Sequence, residues 1–307
     1  MATTVTAPVN NSIALAARYL PFLDEIYKAE SKTAILDTLA ERVQFTGANT
    51  VNLYTLSTVG MGNYDRNAGF VPGDVTGQWV PYVLETDRGR SYMIDALDNE
   101  ESMGMAFGGL LSTVERQHVI PEVDAFRFAQ YASGAAAGNI VAANIATGAA
   151  AVAAVDAATV ALDNAEVPYE GRILFVNPTM YRYLKAGITR YTMNGENGID
   201  YNVEMYDSMR VITVPSGRFN TVITLAQPDS HDDAGGYTAA GDTINFLIIH
   251  PSAIMQANCF TEPRIFAPGV WQQSQGWAWD FRQYHGCWVK HQKTNGIYVN
   301  APSVVSA

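Results

Sequence analysis

The sequence predicts an α+β protein, and three patterns carry that prediction. Apolar residues recur at helical spacing within 98–132 and again within 147–163. Three short apolar runs, RILFVNP, MRVITVPS and INFLIIHP, each end in a proline, at Pro178, Pro215 and Pro251. Continuous rather than alternating runs of this length suit strands covered on both faces. After Glu262 the text is strand-like throughout: PRIFAPG, GWAWDFRQYHGCWVKHQ and IYVN.

In chain order, PFLDEIYKAE after Pro21 reads as a short helix, with Asp24 and Lys28 one turn apart. Val51 to Leu56 alternates as a strand. The stretch that follows carries Gly60, Gly62, Gly69, Gly73, Gly77 and Gly89 with Pro72 and Pro81, and reads as a long hairpin-like excursion with little core of its own. Inside it, WVPYVLETDR reads as a strand. Loops this long in a compact domain usually have a task. Asp98-Asn99-Glu100-Glu101 opens a helix, with a capping side chain and acids in the first turn. Met103, Phe107, Leu110, Leu111 and Val114 continue its apolar stripe; Pro121 kinks or restarts it, and Val123, Phe126 and Phe128 resume it. An Ala-rich helix spans about Thr147 to Asp163, closed by Pro168, and Thr179 to Gly187 is a shorter one. Asn295-Gly296 between apolar strands predicts a tight hairpin turn.

Composition narrows the class further. The 307 residues are 48% hydrophobic and only 16% charged, which excludes a disordered or coiled-coil chain and supplies a large core. A net charge of -11 repels phosphate, against a primary nucleic-acid binder. Two cysteines, Cys259 and Cys287, exclude a disulfide scaffold and fit a reducing compartment. The start MATTVTAPVNNS has neither the basic nor the apolar region of a signal peptide. Phe128 to Val155 is free of charge, yet its Ala and Gly are too weakly apolar to span a bilayer, so a soluble chain is expected.

No arrangement of residues reads as an active site. Gly60-Met61-Gly62 lacks the third glycine and the helix of a nucleotide-binding loop. His285, Cys287 and His291 share one strand face, but six residues of strand cover about 20 Å, too far for one metal. His231-Asp232-Asp233 offers too few convergent oxygens for Ca²⁺ and reads as a solvated loop. Cys259 has no histidine near it in sequence and reads as a small core residue rather than a nucleophile. Glu100-Glu101 and Glu122 with Asp124 occupy helix first turns, where the dipole favours acids without any catalytic role. Trp271, Trp277, Trp279, Tyr284 and Trp288 are read as core or subunit interface rather than a sugar or base site.

The order of features resembles a known family. GNYDRNAG and VLETDRGRSYMIDALDNEES fall in the excursion, ERQHVIPEVDAFRFAQYASGA in the long helix, and ALDNAEVPYEGRILFVNP leads into MRVITVPSGRF, INFLIIHPSAI and WDFRQYHGCWVKHQKTNGIYV. From about Leu20 to Asn300 this resembles the major capsid proteins of tailed bacteriophages, the Hong Kong 97 fold, in the versions found in phages of Gram-positive hosts.

That resemblance implies an architecture: an N-terminal arm over 1–50, an extended E-loop with flanking strands over 51–97, a peripheral domain with a long spine helix over 98–135, an axial domain over 136–262, and returning peripheral strands with a tail over 263–307. It implies a non-enzymatic shell protein without cofactor or metal, assembling in the host cytoplasm into pentamers and hexamers of an icosahedral virion capsid. A separate scaffolding protein, a portal protein and enclosed double-stranded DNA are the implied partners, with no membrane. Trp79, Tyr82 and Val83 are the expected E-loop contacts with a neighbouring subunit. The isopeptide bonds of the founding member are not implied, because Lys28, Lys32, Lys185, Lys290 and Lys293 all lie outside the excursion. The alternatives are an encapsulin-like nanocompartment shell and an α/β hydrolase, the latter lacking a nucleophile elbow.

Overall fold

Among the described residues the strands form a six-stranded sheet, a four-stranded sheet and two separate two-stranded pairs. The computed structural model describes residues 30–39, 41–42, 50–67, 69–84, 86–101, 113–188, 203–228, 233–268 and 276–303. The larger sheet has six strands in the order β5 (Ile140–Ala142), β14 (Ile297–Ala301), β11 (Phe246–Ile249), β6 (Ile173–Val176), β8 (Met209–Thr213) and β7 (Met205–Tyr206). The three proline-ended runs are its β6, β8 and β11. Every residue of β6 and β11 is buried, as continuous apolar runs require. The second sheet has the order β1 (Glu41–Arg42), β12 (Ile254–Phe266), β13 (Gly276–Val289) and β4 (Thr86–Asp95).

Helices cover the larger sheet on both faces. On one side lie α4 (Gly148–Asn164), capped by the Thr147 side chain, and α5 (Pro178–Gly187), capped by Asn177. Their Val155, Leu162, Met180 and Leu184 pack on Leu174, Val176 and Ile248. The two helices touch backbone to backbone: a Cβ on Gly187 would sit 2.2 Å from the Gly148 carbonyl oxygen, so no larger residue fits. On the other side lies α3 (Ile120–Ser133), whose Phe128 meets Phe175 and Phe219 edge-on. A short α1 (Ala34–Leu39) adds Leu36 to that core.

Most sequence expectations for these elements stand. Pro121 resolves into a restart without a break: a π-helical turn, Glu115–Val119, runs directly into α3, and Pro121 falls in its first turn where a missing N–H is harmless. The expected opening at Asp98 falls in α2 (Ala96–Glu101), while Met103 to Leu111 and the helix after Pro21 lie outside the described residues. WVPYVLETDR is two strands rather than one, β3 (Val75–Val83) and β4.

Asn295-Gly296 is a correction. It closes no hairpin but ends a 3-10 segment, His291–Gly296, that carries the chain from one sheet to the other. The five residues after it are buried, and the first four pair with Phe246–Ile249 in the larger sheet, which outweighs the local turn preference. β12 runs unbroken across residue 263, and β14 belongs to the six-stranded sheet.

Candidate assembly surfaces

The excursion is the hairpin the sequence predicts. β2 (Thr50–Thr58) and β3 pair antiparallel from Thr50 with Val83 to Thr58 with Val75, and among the described residues neither joins another sheet. A smaller bridge between Asp65 and Gly69 closes the tip, where Gly69 takes φ +84° and the Asp65 carboxylate accepts the Asn67 N–H at 2.6 Å. Gly77 is needed for packing, since a Cβ there would collide with the Tyr54 ring, which lies across it against Trp79.

Almost none of this hairpin is covered by its own subunit. Ten of the sixteen exposed large hydrophobic side chains among the described residues lie between Thr50 and Val83, including Leu56, Met61, Tyr64, Phe70, Val75 and Trp79. At the tip, Tyr64 (60% exposed) and Phe70 (87% exposed) lean on each other with ring centroids 4.9 Å apart. A patch of this kind marks an interaction surface rather than a solvated loop.

The three residues singled out for contact part company here. Trp79 is 64% exposed and Val83 40% exposed, as an interface residue requires. Tyr82 is buried in its own subunit: its ring lies against Trp288, and its hydroxyl accepts the His291 backbone N–H at 3.0 Å. Tyr82 therefore roots the hairpin, helped by Gln292, whose amide donates to the Leu56 carbonyl.

A polar node holds the segment that leads into α1. Asp124 is fully buried and accepts from the Ser31 hydroxyl at 2.8 Å, the Lys32 N–H at 2.9 Å and the Thr33 hydroxyl at 2.7 Å. Arg218 reaches the same carboxylate at 3.2 Å. One turn on, Arg127 donates to Thr33 and pairs with Asp37 at 3.0 Å. Glu122 forms a two-pronged pair with Arg88, at 2.6 and 3.2 Å. Glu122, in the first turn of α3, and Asp124 just after it are thus both held in ion pairs.

The other candidate chemistry does not assemble. His285 and Cys287 share a buried face of β13, but the strand ends at Val289, so His291 is exposed in the next turn. Burial pushes the Cys287 thiol up to about 12, which leaves no thiolate for chemistry. His285 is lowered to about 4, first by burial and then by the charges of Arg127 and Arg88. No three His, Cys, Asp or Glu side chains stand together as a metal site among the described residues. Cys259 falls where the β12–β13 register shifts, between Asn258 and Phe260. His231, Asp232 and Trp271 lie outside the described residues. Trp279 is core, stacked on Tyr92 at 5.5 Å.

Sequence reasoning missed one feature. β9 (Ile223–Leu225) and β10 (Tyr237–Ala239) form a small antiparallel pair, and the described ends of the segment joining them, 226–228 and 233–236, form a strap tied to β4. Arg88 donates to the Ala226 and Gly236 carbonyls, and Arg90 to that of Asp233. Backbone acceptors carry no side-chain signature, so only the paired arginines in TDRGRSYM hinted at the clamp.

The whole arrangement is a phage capsid fold. The chain is similar to the mature capsid of bacteriophage PhiM1, at 13% identity over 94% of this chain and 92% of that one, with a TM-score of 0.66. It is similar to the capsid of cyanophage P-SCSP1u, at 13% identity over 94% and 92% with a TM-score of 0.63, and to a structure from Mycobacterium phage Che8, at 15% identity over 95% and 98% with a TM-score of 0.61. At these identities the likeness establishes the fold. No family model and no curated protein matches the chain.

Proposed function

We propose that this chain is the major capsid protein of a tailed phage, a non-enzymatic building block that closes into an icosahedral shell around double-stranded DNA. The observation that carries the reading is the free-standing β2–β3 hairpin, whose large apolar side chains stay exposed on the subunit. In a shell it serves as the E-loop, lying over a neighbour and repeating the same gain at every copy. The six-stranded sheet with α4 and α5 is the axial domain, and the smaller sheet with α3 as spine helix is the peripheral domain. The strap joins the two. Trp79 and Val83 face the neighbour and Tyr82 holds the hairpin root. The net charge of -11 keeps the wall from adhering to the enclosed DNA, which it meets without sequence-specific contacts.

A separate scaffolding protein and a portal complete the assembly, which takes place in the host cytoplasm. No helix among the described residues is long and apolar enough to cross a membrane. Light scattering and negative-stain microscopy of the protein, expressed with its scaffold, test the reading. Regular megadalton particles are expected, with DNA inside those from infected cells. A compact monomer under all conditions refutes it; particles that enclose an enzyme rather than DNA would favour a nanocompartment.

A further inference from the structure

The pairing register divides the β2–β3 hairpin into two faces. Residues directly opposite each other across an antiparallel pair point to the same side. Tyr54 stands opposite Trp79, Leu56 opposite Gly77, Thr58 opposite Val75 and Thr50 opposite Val83, so these share one face. The Tyr54 and Trp79 rings meet on it, with centroids 5.0 Å apart. The other face carries Tyr82 and Val80 near the root and Ser57, Thr76 and Gln78 further out.

The subunit treats the two faces differently. On the second, the root is taken up at home: Tyr82 is buried against Trp288, and Leu53 and Val80 are half-buried. Its outer part offers hydroxyls and an amide, which water satisfies. On the first, Tyr54, Leu56, Val75, Trp79 and Val83 are each between 40% and 64% exposed, and all are large and apolar. Gly77 lets the Tyr54 ring lie across the strand pair, which joins these side chains into one apolar strip. No residue of either strand is charged.

We propose that the Tyr54–Trp79 face is the side of the hairpin that seats on a second copy of this chain, while the Ser57–Gln78 side stays in water. The inference rests on the shell reading above and adds to it which side of the hairpin is covered. Two observations select a second copy over other occupants. A membrane-surface segment sets basic side chains beside its apolar ones, and these strands hold none. A separate soluble partner needs more area. Strands of nine residues span about 30 Å and a pair of them is about 10 Å wide, so the face offers on the order of 300 Å² in outline, against roughly 800 Å² a side in a stable two-protein interface. A contact this small holds where it is repeated around a closed assembly, as copies of one chain supply.

Charge introduced on each side tests the assignment. Leu56→Asp and Trp79→Asp alter the first face, and Ser57→Asp and Gln78→Asp the second. All four positions are exposed in the subunit, so the isolated variants should melt with the wild type. By light scattering, the first two should raise the protein concentration needed for particles by about tenfold or more, and the second two by less than about twofold. A second measurement does not depend on those variants assembling: Leu56→Cys and Ser57→Cys are labelled with a maleimide in particles and in free subunits, over the wild-type background. Assembly should shield the thiol of Leu56→Cys and leave that of Ser57→Cys at its free-subunit rate. Equal loss of assembly from both sides, or equal shielding of both thiols, overturns the assignment and leaves the shell reading intact. Shielding of the Leu56→Cys thiol that disappears once scaffold is removed from the particles makes the scaffold the occupant and overturns it too. Wild-type protein that never forms particles overturns the shell reading, and the seat with it.

Discussion

Acidification should unfold this subunit through one buried imidazole, and the size of the effect follows from its surroundings. His285 sits edge-on to Phe126 at 5.2 Å, with Arg127 and Arg88 as its charged neighbours and Glu122 behind Arg88. Burial first, and the two arginines after it, hold it at about 4 against an ordinary 6.5. A folded value below the unfolded one means that the unfolded chain binds the extra proton between those limits. The neutral ring therefore contributes its full stability above about pH 6.5, loses it as the pH falls towards 4, and levels off below. At 1.36 kcal/mol per pH unit the gap amounts to about 3 kcal/mol. His285→Phe keeps the ring and its contact with Phe126 but cannot titrate. Urea unfolding of the unassembled wild-type and variant subunits at half-unit steps from pH 7.5 to 4 measures the difference. Other carboxylates titrate equally in both proteins and cancel. The wild type should lose about 3 kcal/mol relative to the variant across that window. A difference that stays flat from pH 7 to 4 would falsify the account of His285 as a desolvated, neutral histidine.

Three further outcomes are expected. Asp124→Ala leaves Arg218 buried without its carboxylate and should cost about 3–5 kcal/mol in chemical unfolding; a loss under 1 kcal/mol would mean that the node is solvated. Replacing 63–77 with a short Gly-Ser link should leave a folded subunit of near-native melting temperature that forms no regular particles, because those side chains are exposed in the monomer; precipitation or early melting would assign the segment to the core instead. Mature particles boiled in SDS should run as a single band near 33.3 kDa, since no lysine lies in the hairpin, and a ladder that survives boiling and reductant would refute non-covalent closure.

What could be read from the sequence was what is local. The Ala-rich stretch from about Thr147 and the short run Thr179 to Gly187 announced α4 and α5 by local composition, and β6, β8 and β11 announced themselves by unbroken apolar runs. Glycine and proline spacing exposed the hairpin because a strand pair without core needs few apolar commitments. Non-local features stayed hidden. Asn295-Gly296 has the chemistry of a hairpin turn, and only the buried partner Phe246–Ile249, some fifty residues upstream, decides otherwise. Tyr82 and Trp79 are neighbours of like character in sequence, and the contact of Tyr82 with Trp288 and His291 separates their roles.

The carboxylate of Asp124 also sets an order in time. Its partners are Thr33, 91 residues before it, and Arg218, 94 residues after it. On a chain growing from the ribosome, α3 and the first of these partners emerge long before the second. Closing both loops costs entropy, and until residue 218 is available the buried Asp124 carboxylate lacks the Arg218 guanidinium that pairs with it directly. Docking of the segment at 30–37 is thus a late event, gated by synthesis of more than two thirds of the chain. A nascent subunit lacks its settled amino-terminal side until the larger sheet is largely made, which separates folding from premature contact with other copies on the same polysome.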